Sequence, residues 1–410
     1  MNNQKIIPKN NLIIGLDPFG NKIYSVNKDY SPMLLVAPHG SGKGVCFTIP
    51  NLLFNEDSAI VHDIKMENYL LTAGYRESIG QQVFLFNPLG GEGHTHRYNP
   101  LDFLGFDEET IFNNIEKLVF LLIRDENEIA SQTRHLLTSI VLYLIVNNNK
   151  VKSFGEICRL ISGDFIEEIS QAIQKFSNKI HGFALNHLSS FLKKNNSEQQ
   201  LILRSLNSYL EPWYNPFIDY ATSVSDFNIA DFKKNKTTLY VGLNPSDIER
   251  LKPVMRFFYD HALDRLMVDK DVYDDENNHL AISLFMDEFY SISRLTLVES
   301  GIGYLRGYKI RLILIACDFE RIENIYNENI TNSIIADCAY KIFYAGATPK
   351  TAYKISQYFQ DQKNNIEFMT WQQVMNLKSD QQILIHLERS ALASKFYYFN
   401  EEEFKVKTNL

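Results

Sequence analysis

Residues 33–68 read MLLVAPHGSGKGVCFTIPNLLFNEDSAIVHDIKMEN, and this stretch decides the fold. A short apolar run, Met33 to Ala37, empties into a Gly-rich turn ending in Gly42-Lys43-Gly44. An apolar segment follows, and then a second apolar run, Ala59 to Val61, delivers Asp63 and Lys65 to its carboxyl end. Strand, Gly-rich loop and helix in this order make a phosphate cradle. Successive backbone N–H groups and the positive end of the helix face the anion, and a lysine reaches the outer phosphates. The residues expected to contact a nucleotide are Gly40, Ser41, Gly42, Lys43, Gly44 and Val45. The loop departs twice from the G-x-x-x-x-G-K-[ST] pattern: Ala37 stands for the first Gly, and Gly44 for the Mg²⁺-binding Ser or Thr. A tight turn before a helix, with Lys43 merely solvated, would explain the loop taken alone. The carboxylates downstream weigh against it.

Those carboxylates close residues 280–288, LAISLFMDE. A mostly apolar run of this length reads as a strand buried on both faces, as in a parallel sheet flanked by helices. At the carboxyl edge of such a sheet, beside the phosphate loop, Asp287 is placed to hold Mg²⁺. Glu288 is placed to orient and deprotonate an attacking water. An acidic N-cap would need no buried strand in front of it, so catalysis is the favoured reading.

The chain has 410 residues, enough for two or three domains, with 45% hydrophobic and 22% charged residues, the balance of an ordinary globular protein. A net charge of −8 argues against a uniformly basic nucleic-acid binder and leaves room for a local basic channel. Cys46, Cys158, Cys317 and Cys338 are scattered without a C-x-x-C, so neither disulfides nor a zinc framework is expected, and a reducing cytoplasm fits. The longest apolar run, Ile140 to Val146, has seven residues, against roughly 18 for a membrane span. The first ten residues lack an apolar core, so no signal peptide is expected.

Along the chain, strands are expected at 33–37, 59–61, 82–86, 238–241, 280–286, 311–316, 341–345, 382–387 and 395–399. Between about Asp107 and Glu211 the period turns helical: Leu137, Ile140, Val141, Leu144 and Ile145 form one stripe, and Ser153 with Glu156 reads as a capping box. Thr348 and Pro349 read as the N-cap and first position of a later helix. Asp269 to Asn278 is an acidic segment read as solvated. The expectation is an α/β fold: a doubly wound, mainly parallel sheet with an all-α insertion. Residues 1–106 and 223–410 then form the two parts of the nucleotide-binding domain, and 107–222 the inserted helical domain.

Several further segments fall in a recognisable order: HDIKMEN, TAGYR, VFLFNPLG, RYNPLDFL, SVSDF, FMDEFYSI, LRGYKIRLILIA and SKFYYFN. Together with APHGSGKGVCFTIPNLL they resemble the type IV coupling proteins, the motor ATPases of bacterial conjugation and type IV secretion. The resemblance runs from about residue 12 to 400. It implies a RecA-like P-loop motor of the FtsK–HerA branch, binding ATP and Mg²⁺ and working as a hexameric ring that hydrolyses ATP at subunit borders. It also implies partners: secretion-channel ATPases, inner-membrane components, a relaxase or effector cargo, and single-stranded DNA. By that resemblance Lys43 contacts the phosphates, Asp287 sits on the metal, Glu288 handles the water, and Arg306 matches the family's arginine finger. Composition alone would read Arg306 as a surface arginine at a helix end.

Two departures from the family pattern set up an alternative. The family usually begins with membrane-spanning helices, and none is expected here, so the chain is read as cytoplasmic and peripheral at the inner membrane, with ring assembly open to question. A Gln that senses the γ-phosphate normally follows strand 311–316, where this chain has Cys317, a poor hydrogen-bond donor, and then Asp318. The leading reading is therefore an ATP-hydrolysing coupling motor. The alternative is an adaptor, impaired in hydrolysis, that recruits cargo through its helical domain. Among lesser candidates, His94, His96 and Asp102 read as loop residues, and His135 as the polar edge of a helix. Asp63, Lys65 and Glu67 read as an ion network or scaffold, and Phe396 to Phe399 as a hydrophobic strand.

Overall fold

The computed structural model describes residues 10–267, 280–360, 369–387 and 389–410; the acidic segment Asp269 to Asn278 lies outside them. Eleven strands share one sheet. In chain order they are β1 (Ile13–Leu16), β2 (Lys22–Tyr24), β3 (Met33–Val36), β4 (Ser58–Ile64), β5 (Gln82–Phe86) and β6 (Thr237–Leu243). β7 (Ile282–Met286), β8 (Ile310–Ala316), β9 (Tyr340–Tyr344), β10 (Gln381–His386) and β11 (Arg389–Ser394) complete it. Across the sheet the order is β2-β1-β11-β10-β9-β3-β8-β7-β4-β6-β5. The six strands from β9 to β6 in that order pair in parallel. Beyond β9 the pairing turns antiparallel, through β10, β11, β1 and β2.

The parallel strands are buried along nearly their whole length because their sequences are mostly apolar: MLLV in β3 exposes no residue, nor does IRLILIA in β8, where even Arg311 is buried. β11, RSALAS, is largely exposed, and its apolar stretch of only three residues between polar ones hid it from a search for apolar runs. The strand expected at 395–399 is thus displaced: the ladder ends at Ser394, and Tyr398–Asn400 forms a short 3₁₀ turn. The short β1 and β2 were not foreseen either.

The helices are α1 (Ile49–Phe54), α2 (Glu67–Ser78), α3 (Glu108–Leu122), α4 (Glu128–Val146), α5 (Phe154–Ser162), α6 (Phe165–Phe176), α7 (Gly182–Leu192) and α8 (Asn196–Leu210). They continue with α9 (Pro216–Ala221), α10 (Ile248–Leu266), α11 (Thr296–Ser300), α12 (Phe319–Asp337), α13 (Pro349–Gln360), α14 (Trp371–Met375) and α15 (Glu402–Lys407). The chain divides into two compact units: Met1–Leu85 with Ile229–Lys252 and Ala262–Leu410, and Phe86–Asn228 with Pro253–His261.

Helices dominate the second unit. Asp107, Asn127, Ser153, Asp164 and Asn195 each accept a backbone N–H three residues on, fixing the starts of α3, α4, α5, α6 and α8. At Ser153 only half of the expected capping box forms, because the Glu156 carboxylate turns to Lys150 and Arg159. The expected stripe on α4 is wider than foreseen: Leu142 and Tyr143 are buried beside Leu137, Ile140, Val141 and Leu144, while Ile145 is only partly covered. By length and composition α4 is apolar enough to cross a membrane; in this structure most of it is packed inside the protein.

In the first unit, the TAGYR segment has a physical role. Gly74 sits against the Leu410 backbone, where an added Cβ would lie 2.4 Å from the Leu410 carbonyl carbon. Arg76, fully buried, donates to the Leu52 carbonyl at 3.1 Å and to Thr238 Oγ1 at 2.8 Å, tying α1 and β6 to α2. Thr348 caps α13 as expected, accepting the Thr351 N–H at 3.2 Å.

Candidate active site

Parallel register brings the strand ends level. Val36 of β3 lies opposite Ala316 of β8, Leu314 opposite Met286 of β7, and Met286 opposite His62 of β4. The loop after β3, the acidic pair after β7 and Cys317 after β8 therefore emerge along one carboxyl edge. The loop leaves that edge with Ala37 N–H bonded to the Ala316 carbonyl at 2.8 Å. Gly40 and Gly42 have φ of 73° and 90°, a conformation that favours glycine. A Cβ at Gly42 would also sit 3.0 Å from Cys46 Sγ.

The N–H groups of Gly40 and Gly42 make no hydrogen bond among the described residues. Those of Lys43, Gly44 and Val45 open a helix, which starts as a wide π-type turn over Gly44–Thr48 and runs into α1. The result is a row of donors unpaired among the described residues, interrupted at Ser41, whose N–H donates to the Pro38 carbonyl at 3.1 Å. Lys395 braces it from behind, its Nζ donating to the Ser41 carbonyl at 2.9 Å. This residue lies in the SKFYYFN segment, where it read only as part of an apolar strand.

Lys43, Asp287 and Glu288 meet. The ammonium lies 2.7 Å from Glu288 Oε1 and 3.3 Å from Asp287 Oδ1. Asp287 Oδ1 is buried and makes no hydrogen bond among the described residues, with the Lys43 ammonium as its ion-pair partner. Burial pushes the Asp287 carboxyl above the usual range, with Glu288 adding to it and Lys43 opposing. Burial pushes Glu288 the same way, but the hydrogen bond and charge of Lys43, with His39 and Arg321, outweigh it and hold the carboxyl below its usual range. Burial works against the Lys43 charge, and the two acids overcome it. Glu288 itself has φ 49° and ψ 46°, left-handed for a residue with a Cβ, a strain of roughly 1–2 kcal/mol. That turn aims its carboxylate back at the loop.

Four further groups join this cluster; the sequence reading marks Cys317 only as standing where a sensing Gln is expected, and assigns no role to the other three. His39 Nδ1 lies 3.5 Å from Glu288 Oε1, and Cys317 Sγ lies 3.3 Å from His39 Nε2. The Tyr290 hydroxyl lies 3.4 Å from Cys317 Sγ and 3.2 Å from Arg321 Nη1. His39 sits inside the glycine-rich loop, and Arg321 lies one turn into α12, so neither carries a spacing signal. Asp318, weighed as a substitute for the missing Gln, is instead the N-cap of α12, accepting the Arg321 N–H at 2.8 Å.

The profile of the family for conjugative DNA transfer in type IV secretory systems matches residues 1–362. The chain belongs to that family. It is 29% identical over 346 residues to the protein VirD4 of Rhizobium radiobacter, covering 82% of this chain and 48% of VirD4. It thus spans about half the length of the relatives it matches. In fold it is similar to the plasmid coupling protein TrwB in complex with the ATP analogue ADPNP. That match has a TM-score of 0.67 at 15% identity and covers 90% of this chain and 86% of that one. TrwB in complex with ADP and Mg²⁺ aligns with a TM-score of 0.65 at 13% identity, covering 93% and 89%.

Other residues of this family member stand apart from the cluster. Arg306 is exposed, in a 3₁₀ segment spanning Ile302–Tyr308, and its guanidinium makes no ion pair among the described residues. Asp63 caps α2, its Oδ2 accepting the Tyr69 N–H at 2.7 Å and its Oδ1 that of Asn68 at 3.2 Å. Its pKa rises to about 6, mainly through burial. Lys65 and Glu67 are exposed and make no ion pair among the described residues, so the scaffold reading of this segment holds. His94, His96 and Asp102 form no metal cluster among the described residues.

Proposed function

We propose that this chain is the motor part of a coupling protein, a P-loop ATPase that recruits DNA–protein or protein cargo and feeds it to a type IV secretion apparatus. The observation that carries this reading is the Lys43 ammonium bridging Asp287 and Glu288 beside a loop whose Gly40 and Gly42 N–H groups make no hydrogen bond among the described residues. Family membership and the nucleotide-bound state of TrwB support it.

Gly40 to Val45 cradle the triphosphate, and Lys43 reaches its outer oxygens. The residues present fit Mg²⁺: Asp287 Oδ1 is a buried carboxylate oxygen lacking a hydrogen bond. Mg²⁺ typically takes one or two protein carboxylates and completes its shell with phosphate oxygens and water. Gly44 has no hydroxyl to give it. When bound, Mg²⁺ neutralises the charge developing on the transferred phosphoryl group.

The chain's own residues do the rest. Lys43 holds Glu288 in an ion pair at 2.7 Å. Phosphate oxygens compete for that ammonium, and once Lys43 leaves, burial raises the proton affinity of Glu288. The water is thus met by a base that strengthens only when substrate is in place. Arg306, exposed and without an ion pair among the described residues, suits a finger reaching a neighbour's γ-phosphate in a hexameric ring. Residues 107–222 act as the cargo-recruiting all-α domain between the two motor parts, 1–106 and 223–410. Relaxase or effector cargo, secretion-channel ATPases and single-stranded DNA are the proposed partners, at the bacterial inner membrane.

A second reading, an adaptor impaired in hydrolysis, is favoured by one observation: the thiol of Cys317 occupies the place expected of a sensing amide. Mg²⁺-dependent ATP turnover, measured against protein concentration with and without single-stranded DNA, separates the two. The motor predicts a specific rate that rises with concentration and with DNA. Nucleotide binding with no turnover under any of these conditions would leave the adaptor.

A further inference from the structure

Cys317 stands where a phosphate-sensing amide is expected, yet its thiol does not point away from the site. It converges with His39 and Glu288 on one point. His39 Nδ1 lies 3.6 Å from Cys317 Sγ and 3.5 Å from Glu288 Oε1, and Cys317 Sγ lies 3.8 Å from that same oxygen. A tetrahedral ion with a sulfur ligand at about 2.3 Å and nitrogen and oxygen ligands at about 2.0–2.2 Å spaces those ligands roughly 3.3–3.6 Å apart. The observed triangle is within a few tenths of an ångström of that figure. Its corners come from the phosphate loop, the end of β7 and the end of β8, held together by the parallel register described above.

We propose that His39, Cys317 and Glu288 form a binding site for a borderline-soft divalent cation, zinc above all, that competes with Lys43 and holds the motor site shut. Thiolate and imidazole select such an ion over Mg²⁺, whereas Asp287 offers oxygen alone. Three protein ligands leave a fourth position open to water or a phosphate oxygen. The spot already attracts a cation: Lys43 Nζ lies 2.7 Å from Glu288 Oε1 and 3.9 Å from Cys317 Sγ. A dication there releases the thiol proton to solvent, expels the ammonium by like charge, and occupies the oxygen that must accept a proton from water. Among the described residues this is the one group of three or more His, Cys, Asp or Glu side chains close enough to share an ion. Cys46, Cys158 and Cys338 belong to no such group among the described residues, so loss of a metal–thiolate signal in Cys317→Ser assigns it to Cys317.

The closing consequence rests on the function proposed above; the binding itself does not. The test is a titration of the reduced, nucleotide-free chain with Co²⁺, the coloured stand-in for zinc, followed by the thiolate-to-cobalt charge-transfer absorption. One equivalent should develop the band, excess Mg²⁺ should leave it in place, and stoichiometric zinc should abolish it. Folded Cys317→Ser should show no band, and His39→Ala should bind at least about tenfold more weakly, since even an outer partner of a metal ligand costs that much. Folded wild-type protein giving no band, or a band that survives in Cys317→Ser, would overturn the proposal. Nucleotide binding measured on the metal-free chain separates the two ideas. Binding without a cobalt band sinks this site alone, and a band without nucleotide binding sinks the motor reading alone.

Discussion

Replacing Lys43 by Ala removes the one cation that lies between two largely buried acids. At 2.7 Å and 3.3 Å, and an effective dielectric near 20, the two attractions amount to about 6 and 5 kcal/mol before desolvation is subtracted. Breaking a buried pair from one side costs roughly 3–5 kcal/mol in practice. Both acid side chains keep 19% exposure, which favours the lower end, about 3 kcal/mol. For a domain of this size that lowers the melting temperature by roughly 6–12 °C.

The pH dependence carries a sign. In the wild type, Glu288 has a folded-state pKa below its usual value, so its stabilising contribution is present above the ordinary carboxylate range. It is lost as pH falls through that lowered value. In Lys43→Ala both acids are left with burial and mutual repulsion, so their pKa values rise. Such groups favour the folded state at low pH and lose that advantage as pH climbs through the raised values. The melting gap between the two proteins should be widest at pH 7.5 and narrow toward pH 5. Thermal unfolding without nucleotide, followed by circular dichroism at both pH values, measures it. Adding Glu288→Gln should recover part of the loss. A variant that melts no lower than wild type at pH 7.5, or a gap that widens on acidification, would refute the ion-pair account.

The remaining expectations concern turnover. Glu288→Gln should keep nucleotide binding while losing roughly 10²- to 10⁴-fold in rate, read by a phosphate-release assay. Arg306→Ala should lower hydrolysis, by up to about 10³-fold or more where the finger acts, with nucleotide affinity little changed; an unchanged rate removes the trans-acting role. A Cβ at Gly44 meets nothing within 4 Å and the residue is not left-handed, so Gly44→Ser should fold normally. If its hydroxyl supplies the missing ligand at ~1.4 kcal/mol, half-maximal turnover should need tenfold less Mg²⁺; the Mg²⁺ dependence of the rate checks this.

What was legible in the sequence follows one physical rule. Strands buried on both faces, such as β3, β7 and β8, write themselves as apolar runs, and a run ending in Asp287-Glu288 announces a sheet edge with chemistry on it. RSALAS in β11 is largely solvated, and its three apolar residues between polar ones carry no such mark. The same holds in the site. Lys43, Asp287 and Glu288 follow motifs that sit at fixed distances from strand ends. His39, Cys317, Tyr290 and Arg321 come together only because parallel register levels the strands and a left-handed Glu288 turns the chain back. Asp63 stays open in the sequence between an ion network and scaffold: a conspicuous acid at a strand end, it is occupied in capping α2 through the N–H groups of Asn68 and Tyr69.

The central claim is that the loop after β3, with Lys43 and the acidic pair, grips a magnesium–triphosphate. Isothermal titration of the folded chain with Mg-ATP tests it directly. The account predicts one site per chain, abolished in Lys43→Ala and retained in Glu288→Gln. An absence of binding in well-folded wild-type protein, or equal affinity in Lys43→Ala, would contradict it.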